Sequence, residues 1–278
     1  MKGGDRGEKT QFRVNAVIQT QLNIERSSYM RKFIIAVLAF GIVGFGYRAE
    51  AAPVGNIANP VIEKGEHGIK IGVDNDFVFK REFDVDEADV ELEANFHTAR
   101  ISYTIAEKAD VYVMLGMLSN AKVTEHNSSF DIIYDVDNAF TWGLGATLLA
   151  FETEGGFRAG MDGKYRQTSP ELSKVTVDGV DYELDESEVE YGEWQVALAF
   201  SQQMGKFAPY AGVKYSDINT KAKATVSGTE YETEERGSKN TVGPFVGISF
   251  LPNDNLSLNV EGRFIDENAV SVSLAYKF

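Results

Sequence analysis

Alternation of apolar residues with small or polar ones recurs along most of this chain, and it constrains the fold more than any other feature. The last ten residues show it most cleanly. Val270, Val272, Leu274, Tyr276 and Phe278 fall on one face of an extended strand, and Ser271, Ser273, Ala275 and Lys277 fall on the other. A period of two means a strand with one buried or lipid-facing side. About ten residues is also the length of one tilted strand across a bilayer. Taken alone, this segment fits the edge of a soluble β-sandwich; the rest of the chain argues otherwise.

Nine further segments of similar length carry the same pattern: Ile69–Lys80, Thr98–Ile105, Val111–Leu118, Ala139–Phe151, Phe157–Tyr165, Glu193–Ser201, Phe207–Tyr215, Val242–Leu251 and Leu256–Phe264. Asn75 is a blemish on the apolar face of the first. Every second connection is short (Ala106–Asp110, Glu152–Gly156, Gln202–Lys206 and Pro252–Asn255). The connections between them are longer (Arg81–His97, Ser119–Asn138, Arg166–Gly192 and Ser216–Thr241), apart from the brief Ile265–Asn268. Tight turns on one rim and long loops on the other are the arrangement of a transmembrane antiparallel up-and-down β-barrel. The expectation is an all-β barrel of about ten strands. Two polar hairpins, Lys174–Glu183 and Lys223–Glu232, turn at Asp178-Gly179 and Ser227-Gly228. They are read as extensions of the wall; counted as spanning pairs they would raise the number to 12 or 14.

Near the other end, Met30-Arg-Lys32 opens a basic stretch, Phe33 to Gly46 is apolar, and Ala49 and Ala51 supply small residues at the −3 and −1 positions of a cleavage site. That is the pattern of a secretory signal peptide. Residues 1–29 read as an upstream extension, 30–51 as the signal and 52–278 as the barrel. Removing residues 1–51 takes away 8 Lys/Arg and 4 Asp/Glu from 27 and 42, which leaves 19 basic against 38 acidic residues, a net −19. So acidic a chain does not bind nucleic acid by counterion release. Cysteine is absent, so stability must come from sheet hydrogen bonds and burial. The mean hydropathy of −0.22 suits a soluble protein, but barrel strands hide their lipid face in alternate positions.

Lys70, Asp74, Arg100, Arg158, Asp162, Lys164, Lys214, Glu261 and Arg263 all fall opposite the apolar stripe. A lipid-facing Lys or Arg costs about 2–4 kcal/mol at mid-membrane, so these nine are expected to line the interior as a pore. Six are basic and three acidic, which predicts an anion-preferring bore if they stay unpaired; complete pairing would plug it instead. The acidic runs Asp185–Glu190 and Glu230–Glu235 read as a solvated rim, with divalent cations bridging them to lipid head groups as the alternative. No catalytic spacing, phosphate loop or metal-ligand cluster is present in the sequence, and no cofactor is expected. The histidines His67, His97 and His126 lie outside the expected spanning segments. His97 is the best of them for a rim protease, and a solvated or aromatic-girdle histidine is the plainer reading.

Several stretches resemble the chlamydial major outer membrane protein family. They are Pro53-Val-Gly-Asn56 with Pro60, Gly72–Phe79, Tyr191–Phe200 followed by Phe207–Tyr215, Arg263–Asn268 and the terminal Tyr276-Lys-Phe278. Leu115-Gly116 and Thr141–Gly145 fit more loosely. The resemblance implies a porin for passive diffusion of small hydrophilic solutes, abundant in the bacterial outer membrane and not an enzyme. It also implies contact with outer-membrane lipid and lipopolysaccharide, insertion by the barrel assembly machinery through a signal at Tyr276 and Phe278, and a homo-oligomer as one option. That family is rich in cysteine and longer, whereas this chain has no cysteine, so disulfide crosslinking is excluded.

Overall fold

The computed structural model describes Val54 and residues 67–278, apart from 86–87, 106–107, 128–130, 183, 185, 227–228 and 233–236. The expected upstream extension, signal peptide and cleavage residues Ala49 and Ala51 lie outside the described residues. Among the described residues fourteen strands follow one another: β1 (Gly68–Phe83), β2 (Asp89–Ile105), β3 (Ala109–His126), β4 (Asp131–Val136), β5 (Ala139–Glu152), β6 (Phe157–Thr168) and β7 (Leu172–Val177). After them come β8 (Val180–Tyr182), β9 (Glu186–Gln202), β10 (Phe207–Val226), β11 (Thr229–Glu232), β12 (Val242–Asn253), β13 (Leu256–Arg263) and β14 (Asn268–Lys277).

Ten of them close a ring. Neighbours pair antiparallel in the order β1, β2, β3, β5, β6, β9, β10, β12, β13, β14, and β14 returns to β1 with Asp74 opposite Ser273. Closure leaves no unpaired edge inside lipid, which is what permits a sheet to cross a bilayer. The other four are additions to the wall. Strands β4, β7 and β8 branch from β3, and β11 pairs back on β10. The hairpin at Asp178-Gly179 has both residues at positive φ (48° and 79°), the type I′ turn expected there.

The outward face carries the apolar stripe. Ile71, Val73, Ile101, Val113, Leu144, Val246 and Leu274 are exposed, and along β1 this face runs from Ile69 to Phe79. Ten residue steps of about 3.3 Å, tilted about 40°, make a belt roughly 25 Å tall. Aromatic residues mark its edges. Towards the long-loop rim, Trp142 meets Tyr165 at 5.9 Å and Trp194 meets Tyr215 at 5.2 Å. At the short-turn rim, Phe207 meets Phe250 at 5.1 Å and Tyr276 meets Phe278 at 5.0 Å. Asn75, the blemish, is answered by its cross-strand neighbour His97, whose Nδ1 lies 2.8 Å from the Asn75 Oδ1.

The strands run well past their expected ends. Most of Arg81–His97, read from the sequence as a loop, is strand in β1 and β2, and His97 lies in β2 on the outer face. The same holds for Arg166–Thr168, for Glu186–Gly192 and for Ser216–Val226. Two local irregularities keep side chains facing inward as the wall extends. The β1 register shifts between Val78 and Arg81, and Asn120 in β3 takes a φ of 50°. Each inserts one extra residue, so Arg81 and Phe83, then Ala121 and Val123, again point inside.

Candidate functional site: the barrel interior

Alternation places every second side chain of the ten ring strands inside, and the interior divides into tiers. Near the short-turn rim, Lys70 pairs with Asp110, and the Thr104 hydroxyl donates to the other Asp110 oxygen at 2.5 Å. Arg100 donates to Asp74 from Nε at 2.8 Å and from Nη2 at 2.7 Å, and it lies over the Tyr112 ring at 5.1 Å. Tyr112 and Thr147 both donate to Asp162, at 2.7 and 2.9 Å, and Lys164 sits 3.2 Å from the same carboxylate. A small polar cavity of about 70 Å³ remains among these groups.

The middle tier is built around Glu261. Its carboxylate accepts from the Val54 backbone N–H at 3.0 Å and from the Tyr210 hydroxyl at 3.2 Å. Val54 is buried with Ala197, Ala199, Tyr210 and Phe245. Two inward glycines make room for two inward tyrosines. A Cβ on Gly247 would come within 2.2 Å of the Tyr210 ring, and one on Gly145 within 2.5 Å of Tyr112.

Above this lies a layer of fully buried charge. Arg263 pairs with Asp76, reaches Glu267 at 2.5 Å and approaches Glu261 at 3.5 Å. Lys214 bridges Asp266 at 2.8 Å and Glu267 at 2.5 Å. Arg81 approaches Glu267 at 3.4 Å and donates to the Ser238 hydroxyl at 2.9 Å. Arg166 holds Glu193 at 2.6 Å and reaches towards Asp76 at 3.7 Å. Removing either partner of such a buried pair strands the other, which typically costs about 3–5 kcal/mol.

All nine residues expected to line the interior are buried or half-buried. Arg158 is the outlier, pairing with the exposed Glu152 at the short-turn rim. The expected basic surplus is not present. In the tiers just described, the basic Lys70, Arg81, Arg100, Lys164, Arg166, Lys214 and Arg263 face the acidic Asp74, Asp76, Asp110, Asp162, Glu193, Glu261, Asp266 and Glu267. Five of these acids, together with Arg81 and Arg166, escaped the nine-residue set. Some sat beyond strands ended too early, and Asp266 and Glu267 sat on the β13–β14 turn, which folds inward. Continuing the period of two through Arg166 and Thr168 would have found part of the layer.

The long-loop rim is built differently. There the inward residues Val90, Leu92, Ala94 and Phe96 are apolar, and the outward Glu91 and Glu93 are charged. Across β9 and β10, Glu190 faces Lys221 and Glu188 faces Lys223 on the outside. The β10–β12 connection lies along β1 through the Phe83–Ser238 bridge, with Lys239 reaching Asp89 at 3.3 Å and Glu82 at 3.4 Å. The hydrogen bond to Asp89 and the Glu82 charge hold the Lys239 amine above its usual range.

No protein-family model matches the chain. It is similar to the major outer membrane porin, serovar L3, of Chlamydia trachomatis, with 24% identity over 208 residues covering 51% of this chain and 52% of that protein. In that match the chain spans about half the relative's length. A longer match to the serovar H porin is 21% identical and covers 90% of this chain and all of the relative, and the Chlamydia muridarum porin matches over the same shares at 21%. Among solved structures, the translocator domain of autotransporter NalP from Neisseria meningitidis aligns with a TM-score of 0.47 and 9% identity over 91% of this chain and 98% of that one. The outer membrane protease OmpT from Escherichia coli aligns at 0.44 and 10% over 76% and 96%. The closed ten-stranded ring, its aromatic-edged apolar belt and the distant match to porins together make this protein a β-barrel of the bacterial outer membrane.

Proposed function

We propose that this protein is an outer-membrane barrel shut at rest, an envelope component whose bore is closed by its own ion pairs. The observation that carries the reading is the buried layer centred on Arg263, in which four basic side chains interlock with Asp76, Glu193, Asp266 and Glu267 across the lumen. Opening the bore requires several of these pairs to part together, because Glu267 alone is shared by Arg263, Lys214 and Arg81. The reading is non-enzymatic: His97 is engaged by Asn75 on the outer face, and His126 lies beside Asp131 at 2.9 Å on the exposed rim.

The sequence match to porins favours a second reading, passive diffusion of small hydrophilic solutes. In this barrel it requires the layer to part first. Liposome swelling in arabinose separates the two. The closed reading expects wild-type vesicles to swell no faster than empty ones, and a double Arg81→Ser, Glu267→Gln variant to swell measurably. Wild-type swelling at the rate of an open porin would overturn closure and support diffusion.

A further inference from the structure

Above the ionic layer the extended wall encloses a cavity of about 60 Å³ whose lining has no charged side chain. Phe83, Leu92, Phe96, Leu118, Tyr134 and Tyr191 contribute most of its bulk, and all six are at least nine-tenths buried. Among the lining hydroxyls, Thr168 donates to the Phe140 carbonyl at 2.9 Å and Tyr134 to Glu125 at 3.5 Å, while the buried Thr220 hydroxyl has no hydrogen-bond partner among the described residues. One such group falls short of the two to four polar partners that a trapped water needs, and a dry cavity takes an apolar guest. Its floor is defined. The Arg166 guanidinium lies 3.5 Å from the centre of the Phe96 ring, so the charged layer begins where the chamber ends.

The chamber is bordered by a seam in the wall. Among the described residues, the β4–β7–β8 branch ends at β8 and does not rejoin the ring as a ladder. It is tied to the start of β9 by the Ser187 hydroxyl, which accepts from the Leu172 N–H at 2.8 Å and donates to the Leu172 carbonyl at 3.0 Å. The Val189 N–H donates to the Pro170 carbonyl at 2.8 Å. Beside this seam the lining residues Val136, Leu172 and Val189 are only half-buried. We infer that the chamber binds a compact, uncharged hydrocarbon of one ring or less, entering from the long-loop rim through the seam between β7 and β9.

The absence of lining charge selects for neutrality. The volume selects for size, since an engineered apolar cavity of about 150 Å³ accommodates benzene and this one is smaller until its side chains adjust. The inference stands apart from whether the barrel conducts, because its readout is occupancy of the chamber alone.

The test is ligand-observed NMR with benzene as the probe and benzoate as the charged control, on the full chain refolded in amphipol. Saturable benzene binding without benzoate binding is expected. Ala94→Phe, which fills the chamber, should weaken binding at least tenfold, and Leu118→Ala, which enlarges it, should tighten binding several-fold. A benzene signal that rises linearly and equally in all three proteins is partition into amphipol and overturns the proposal. If Ala94→Phe does not fold, the enlarged variant decides: unchanged affinity in Leu118→Ala overturns the proposal on its own.

Discussion

Below the long-loop rim the barrel wears its apolar residues outside and its charges inside; above it the same strands do the reverse. On β2 the outward series reads Ile105, Tyr103, Ile101 and then His97, Glu93 and Glu91, while the inward series passes from Thr104, Ser102 and Arg100 to Phe96, Ala94, Leu92 and Val90. On β2 the alternation itself does not change phase across this boundary, and the bulges in β1 and β3 keep their inward faces in step with it. What changes is the solvent on the outside. In lipid, the outer face must be apolar, and the lumen becomes the place where charge is tolerated. In water, the ordinary rule returns and the inward face becomes a small hydrophobic core. The lower interior is therefore held by directional ion pairs and the upper interior by burial, so the two regions should fail differently.

The largest effect is expected in the lower region. Arg263→Ala leaves the buried carboxylates of Asp76, Glu261 and Glu267 facing one another, and a loss of about 3–5 kcal/mol in urea unfolding from lipid vesicles is expected. A loss below about 1 kcal/mol would mean that water enters the layer and already screens it.

The sharpest contrast comes from placing the same charge outside each region. Val246→Arg, on the lipid-facing wall, should cost about 2–4 kcal/mol. Glu93→Arg, outward on the extension, should stay within about 0.5 kcal/mol. Equal costs at the two sites would mean that the outer face meets the same solvent at both.

In the upper region, Leu118→Ala removes packing from the chamber wall and is expected to cost about 2–3 kcal/mol, the lower part of the range for a buried leucine because a cavity is already present. Its effect should persist in high salt. The smallest effect belongs to Lys239, whose partners Asp89 and Glu82 are at the exposed rim. Lys239→Ala should change stability by no more than about 1 kcal/mol, and adding salt should erase the difference.

The lower region was readable from sequence because lipid enforces a strict pattern. Outward Ile, Val, Leu and aromatic residues alternating with Lys70, Arg100, Asp162 or Glu261 gave the ten spanning segments, the inward faces and the two hairpins as wall extensions. The upper region was equally periodic but of opposite sign. Asp89-Val-Glu-Leu-Glu-Ala-Asn-Phe96 alternates without a break, yet its charges suggested a loop because a membrane template looks for apolar residues outside. The balance of the ionic layer was hidden for a related reason. Pairing depends on which inward residues meet across the lumen, and Asp266 and Glu267 reach Lys214 from a turn that carries no strand pattern. The seat of Val54 against Glu261 joins residues 207 apart, and nothing local in the sequence marks it.

A bore closed by the ionic layer carries no steady ionic current. Single-channel recording in planar bilayers under a KCl gradient should show the wild-type barrel silent or only briefly open, with steady conductance appearing in the Arg81→Ser, Glu267→Gln variant. A steady, long-lived wild-type conductance would contradict closure by the ionic layer.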